Sequence, residues 1–315
     1  MATMLRRVGG LRRQPWALSF VAVVIIWVAI RVVSGKGTIE TMEAALSVAP
    51  FLIIVGTGQL FIITLGNGNI DLSIPNGMAV GAFVGVSVMS GSGNILLGFA
   101  AAIGCGLAIS LVNLFNILVL GIPPIVATLA TGLLAATASF VEASRFSGAV
   151  PGSLRAFVSA DIGGVSWLAI ICIVFSIGAG IVLVKTRYGR SVQAIGQSGA
   201  AASLADVATT WVIARAYLAS GVLAAIGGVL LGAYTGVALG MGDAYLLTSI
   251  IIVVLGGSLI AGGRSNIPGI WGGALFLSLL VTLLNVLQLS AAYQDIAEGA
   301  VIIAVLAIGG MTKAR

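Results

Sequence analysis

Apolar residues run along this chain in long blocks, separated by short polar or glycine-rich interruptions. A helix needs about 20 predominantly apolar residues to cross a bilayer. Ten segments meet that test, some only by sharing a turn with a neighbour: 15–33, 46–65, 73–90, 94–117, 124–143, 165–184, 210–233, 246–260, 268–288 and 293–309. The pattern predicts an all-α polytopic membrane protein of about ten transmembrane helices, one domain over residues 1–315. The eighth segment is short, and the junction of the second and third is irregular.

Two junctions resemble each other. Ser73-Ile74-Pro75 opens the third span and Asn266-Ile267-Pro268 the ninth, each after a glycine-rich turn. A capping residue followed by Pro suits a helix start, where the missing N–H has no partner to lose. Small residues also recur every fourth position, at Gly77, Gly81 and Gly85 and at Gly228, Gly232, Gly236 and Gly240. Such rows share a helix face and let two backbones approach closely.

The sharpest polar interruption is Gly66-Asn67-Gly68-Asn69-Ile70-Asp71-Leu72-Ser73. Ionisable groups are costly at bilayer depth, so Asp71 calls for a reason. Either Asp71 and Ser73 cap the third helix, or Asn67, Asn69, Asp71 and Ser73 line a translocation path. Gln59, Thr128, Asn285 and Gln288 are further intramembrane polar residues, joined by Asn113, Asn116 and Thr131. Singly they read as interhelical glue, and collectively as a weakly polar path for an uncharged, hydroxyl-rich solute. Asp243, Asp295 and Glu298 fall near span ends, with Glu298 early in the last span.

Basic residues cluster in mid-chain at Lys185, Arg187, Arg190 and Arg215. Residues 185–209 read as a cytoplasmic loop with a short helical pattern over 200–207, long enough to be pushed by a motor subunit. With the N-terminal arginines inside, eleven of the 15 basic residues fall on the inner side and four on the outer. That bias fits an even number of spans with both termini cytoplasmic. Residues 144–164 then form the longest external loop, with room for a surface helix.

Composition agrees: 59% of residues are hydrophobic and 8% charged. A soluble domain carries about a quarter charged residues. The net charge of +6 sits at span ends, an orientation signal with no implication of nucleic acid. Cys105 and Cys172 lie in apolar segments and read as packed small hydrophobes. No small-residue cleavage site follows the first apolar run, which reads as an uncleaved span. No histidine is present, which excludes a His-based triad or metal site. No catalytic, cofactor or metal site is expected. The G-x-x-x-x-G-K-[ST] phosphate loop is absent, so any ATP hydrolysis belongs to another polypeptide.

Five stretches, in one order, carry a family resemblance: Gly58-Gln59 leading to Asn69-Ile70-Asp71-Leu72-Ser73; Pro123-Pro124-Ile125-Val126-Ala127-Thr128-Leu129; Thr186-Arg187-Tyr188-Gly189-Arg190 with Ala194-Ile195-Gly196; Val254-Leu255-Gly256-Gly257; and Gly262-Gly263-Arg264. From about residue 45 onward the chain resembles the permease subunit of ribose-type ABC importers, a class that includes autoinducer-2 systems.

The resemblance implies a vitamin-B12-importer-like permease fold in a bacterial cytoplasmic (inner) membrane. It implies a second permease, ATP-binding cassette subunits and an external substrate-binding protein as partners, beside membrane lipid. It places Arg190, Ile195, Gly196, Gln197, Ala201, Ser203 and Leu204 in the segment coupled to the ATPase. The family's usual Glu-Ala-Ala-Arg run is Ala200-Ala201-Ala202-Ser203 here, and both a homodimer and a pair with a paralogous permease stay open. The residues also leave open an ion-coupled carrier, or an importer of nucleosides or branched-chain amino acids.

Overall fold

Glycine and proline decide where the apolar blocks become separate helices. The structure is a computed structural model that describes residues 16–35 and 38–290, then 292–294, 296, 297, 299–301, 303 and 304. In chain order the helices are α1 (Trp16–Ser34), α2 (Thr38–Thr64), α3 (Ile74–Ser92), α4 (Ile95–Leu114), α5 (Pro124–Arg145), α6 (Gly152–Ser159), α7 (Trp167–Lys185), α8 (Arg187–Gln197), α9 (Gly199–Leu204), α10 (Thr209–Thr235), α11 (Tyr245–Leu255) and α12 (Ile267–Val286). A π turn (Phe115–Val119) extends α4, and a two-stranded hairpin of β1 (Asp161–Ile162) and β2 (Val165–Ser166) follows α6.

Eight helices among the described residues are long and apolar enough to span a membrane. They match the first seven expected spans and the ninth. The eighth is reduced to the 11 residues of α11, because Gly257 takes the left-handed conformation that stops a helix. The expected tenth span is helical where it is described. Asp295 and Glu298 lie outside the described residues.

α2 is the axis. Of its most apolar window 83% is buried within the protein, against 22% for α1 and for α4. A helix apolar on all sides has no face to give to water and is enclosed by others. α10 packs against α2 on one side and against α3 and α4 on the other. α11, α12 and α7 complete the surround of α2.

The small-residue rows mark these contacts. A side chain at Gly81 would press on the Ala225 backbone, and one at Gly228 would overlap the Met78 carbonyl. The second row is helical only as far as Gly232. Gly236 takes a φ of 96° and ends α10, so Gly236 and Gly240 are turn glycines rather than part of a helix face.

The capping expectation is corrected. Ser73 and Asn266 stand at the N-cap positions of α3 and α12, with Pro in the first turn of each. Neither side chain accepts a bond from the helix it precedes. The Ser73 hydroxyl donates instead to the Asp71 carboxylate.

Gly228→Val forces a branched side chain into the Met78 backbone. Overpacking of this kind costs about 1–3 kcal/mol. The detergent-solubilised variant should melt below wild type, and an unchanged melting curve would contradict the close α3–α10 contact.

Candidate functional site

Between α2 and α3 the backbone leaves the helical path for residues 65–73. Its tip, Asn67 and Gly68, is exposed, while Asn69, Asp71 and Ser73 are buried. Buried N–H and C=O groups with no helix to pair them need partners from elsewhere. α2 and α5 supply partners for the backbone, and α10 and α4 for the segment's side chains. Gln59 on α2 accepts from the Asp71 N–H at 3.3 Å. Thr128 on α5 accepts from the Leu72 N–H and donates to the Ile70 carbonyl, both at 3.1 Å. Tyr217 on α10 donates to the Asn69 amide oxygen at 3.0 Å, and Asn69 in turn donates to the Gly66 carbonyl at 2.8 Å.

Asp71 is the centre of this node. One carboxylate oxygen accepts from the Ser73 N–H at 2.9 Å and from the Ser73 hydroxyl, and the other accepts from the Ser220 hydroxyl at 3.0 Å. Asn113 on α4 donates to Ser73 at 2.9 Å. Three donors on one carboxylate offset the cost of burying it. Gln59 Nε2 and Asn113 Oδ1 remain buried with no partner in the protein. The node is closed in this conformation, with Gln59, Asn113 and Thr128 fully buried.

The structure thus gathers Gln59, Asn69, Asp71, Ser73 and Thr128, with Asn67 at the tip of the same segment. Asn285 and Gln288 are elsewhere. Both are exposed at the far end of α12, where Asn285 accepts from Gln294. Tyr217 and Ser220 escaped the sequence reading. Their signal was a pair of polar residues three apart, on one face of a helix otherwise built of small residues. Gly58 lets them reach the node, since its missing Cβ would stand 3.0 Å from the Ser220 Cα.

A second constellation adjoins the first. Thr186 caps α8 by accepting from the Gly189 N–H at 3.1 Å, and Ser198 caps α9 by accepting from the Ala201 N–H at 3.2 Å. α8 is amphipathic, with Gly189, Val192 and Ile195 buried and Arg187 and Arg190 exposed. Tyr188 stacks on Phe61 of α2, and burial pushes its phenol up to about 12, only partly opposed by Arg215. It is therefore neutral at ordinary pH.

At the end of α8, three backbone segments meet without side chains between them. A Cβ at Gly196 would overlap the Thr64 carbonyl and Gly263; one at Gly262 would overlap Gly66. The Gly263 N–H donates to the Thr64 carbonyl at 2.8 Å, and Gln197 donates to the Gly263 carbonyl at 3.3 Å. So the turn after α2, the turn after α11 and the α8–α9 elbow form one junction. The two turns that looked alike in the sequence are packed on each other. Asn67 lies over Gly199 at the start of α9.

Ile195 and Gly196 therefore face the bundle. Arg190, Ala201, Ser203 and Leu204 face outward, with Leu204 90% exposed, while Gln197 is exposed but turns its amide onto the Gly263 carbonyl. No three metal-ligating side chains converge among the described residues.

Residues 41–306 match the family of branched-chain amino acid transport system permease components. The chain is 30% identical over 281 residues to the autoinducer 2 import system permease of an Enterobacter strain, covering 87% of this chain and 80% of that one. It is 29% identical over 308 residues to the ribose import permease of Escherichia coli, covering 92% and 93%. A probable ABC transporter permease of Sinorhizobium fredii is 29% identical over 267 residues, covering 84% and 79%.

Asp71→Ala strands the Ser73 and Ser220 donors in the interior. Each unpaired buried group costs about 1–3 kcal/mol. The melting temperature in detergent should fall clearly, and less for Asp71→Asn, which keeps an acceptor. Equal melting of the two variants would remove Asp71 from the centre of the node.

Proposed function

The chain belongs to the family of ABC importer permeases described as branched-chain amino acid transport system permease components, and from that premise we propose that it translocates a sugar or sugar-like solute handed over by an external binding protein. It is a transport subunit of a multi-pass membrane system, whose ATP hydrolysis resides in a partner polypeptide. Two of its relatives are named for the import of ribose and of autoinducer 2, and both are small hydroxyl-bearing solutes. The node around Asp71 suits such a solute, since it offers amide and hydroxyl groups and no cation. The path runs beside Gln59, Asn69, Asp71, Ser73 and Thr128.

The observation that carries the mechanism is the junction at Gly196. The α8–α9 elbow presents Arg190, Ala201, Ser203 and Leu204 outward, to an ATP-hydrolysing subunit. Its inner side touches Thr64 and Gly263 through the Gly196 backbone, and the Gln197 side chain adds a bond to the Gly263 carbonyl. A push on the elbow is passed to the turns after α2 and α11 chiefly through the close backbone contacts at Gly196. The turn after α2 continues directly into Asn69 and Asp71, so the same push reaches the polar node. Two permeases working against each other would alternate access between the membrane faces. The charge bias supports a bacterial inner membrane with both termini and the elbow cytoplasmic.

The reading is tested in proteoliposomes holding this permease, its ATPase and the binding protein. Gly196→Val should leave ATPase turnover substantial and lower solute uptake per ATP, because the junction is wedged apart. An unaltered ratio would count against the junction. Uptake by the permease alone, driven by an ion gradient, would overturn the importer reading itself.

Arg190→Glu reverses an exposed charge on α8. It should lower the amount of ATPase co-purifying with the permease, and more so at low ionic strength, where surface charges are less screened. Undiminished recovery would place the contact elsewhere on the elbow.

A further inference from the structure

The opposite end of α2 carries a feature that the importer reading leaves unused. Glu40 and Glu43, in the first turns of α2, line a pocket of about 510 Å³ together with Ser47, Asp161, Ser166 and Tyr234. None of the residues lining it is basic. The Glu43 carboxylate lies against Gly164 of the hairpin turn, and Asp161 accepts from the Gly164 N–H at 3.2 Å. Ser166 lines the pocket, is 3% exposed, and its hydroxyl has no partner in the protein. A buried hydroxyl left unpaired is costly and calls for a ligand or water.

The location follows from helix length. α2 has 27 residues and is about 40 Å long. Its C-terminus forms the junction with Gly196, so its N-terminus reaches the other membrane face. If the elbow is cytoplasmic, the pocket opens to the exterior. This inference rests on the importer reading for that orientation.

The chemistry narrows the occupant. Three carboxylates with no basic residue among the described residues of the lining attract a cation. Among the described residues no three carboxylates converge closely enough to share a metal ion. The pocket therefore suits an extended cation with several N–H donors, a guanidinium or an ammonium. Glu40 and Asp161 are exposed, and an exposed ion pair is worth only about 0–1 kcal/mol. That is too little to hold a free small cation. It suffices for a side chain on a protein held by a wider surface, where rim charges set the encounter rate and the register.

We propose that this pocket receives a lysine or arginine side chain of the external solute-binding protein, and that the Ser166 hydroxyl completes its partners. The pocket then fixes the orientation in which the binding protein sits over the ends of α2 and α10.

The test uses the full permease–ATPase complex in nanodiscs and its solute-binding protein as probe, at low and high ionic strength. The variant Glu40→Gln/Glu43→Gln/Asp161→Asn keeps one acceptor oxygen at each position and removes the charge. It should bind the probe about tenfold more weakly at low ionic strength, the sum of three weak pairs at the pocket, and lose most of the salt dependence. Ser166→Ala should also weaken binding while leaving thermal stability unchanged or raised, because it deletes an unpaired buried hydroxyl. Wild-type affinity and salt dependence in both variants would overturn the pocket and leave the importer reading standing. A wild-type complex that never binds the probe yet takes up solute would overturn the importer reading, and the pocket with it. Arginine amide binding as tightly as the protein does would overturn the choice of a protein-borne cation.

Discussion

Inside a bilayer no water is available to pair a backbone that leaves the helix. The segment between α2 and α3 is under that constraint, and the middle of the structure is arranged to meet it. Its exposed groups are met by Gln59, Thr128, Tyr217 and Ser220, drawn from three different helices, and by the internal turn of Asp71 onto Ser73. The node therefore fixes the positions of α2, α5 and α10 relative to the break, while the break gives those helices a reason to converge. A carboxylate at this depth is tolerated because each of its oxygens receives a hydrogen bond.

Backbone proximity is the second device. Where α10 meets α3 and α4, and where the elbow meets the two turns, glycine removes the side chain that would hold the chains apart. In lipid the hydrophobic effect gives helices no preference for one another, so close packing has to supply it. The same property makes the junction at Gly196 stiff. Contact of backbone on backbone transmits a displacement that long side chains would absorb by changing rotamer. The elbow and the polar node are thereby joined through a few residues of continuous chain.

α2 links the two faces. Its C-terminus belongs to the glycine junction and its N-terminus to the acidic pocket beside the hairpin. As the most enclosed helix it has little freedom to move alone.

Much of the fold was legible in the sequence. Blocks of apolar residues place the spans within a few residues, because the bilayer imposes its own thickness on any helix that crosses it. The helical pattern after Ser198, the surface helix at residues 152–159 and the polar break at Asp71 were visible for local reasons: composition, punctuation and the cost of a buried charge. Tyr217 and Ser220 were passed over, and Asn285 and Gln288 were grouped with residues they never approach. Polarity within an apolar run marks a residue as needing a partner without saying which. That pairing is settled by how α10 lies between α2 and α3, and by glycines far apart in the chain that permit the approach. The sequence by itself determined the class of protein, its spans and its break. Only the tertiary structure decided which polar groups meet, since a hydrogen bond depends on distance in space and the chain records distance only along itself.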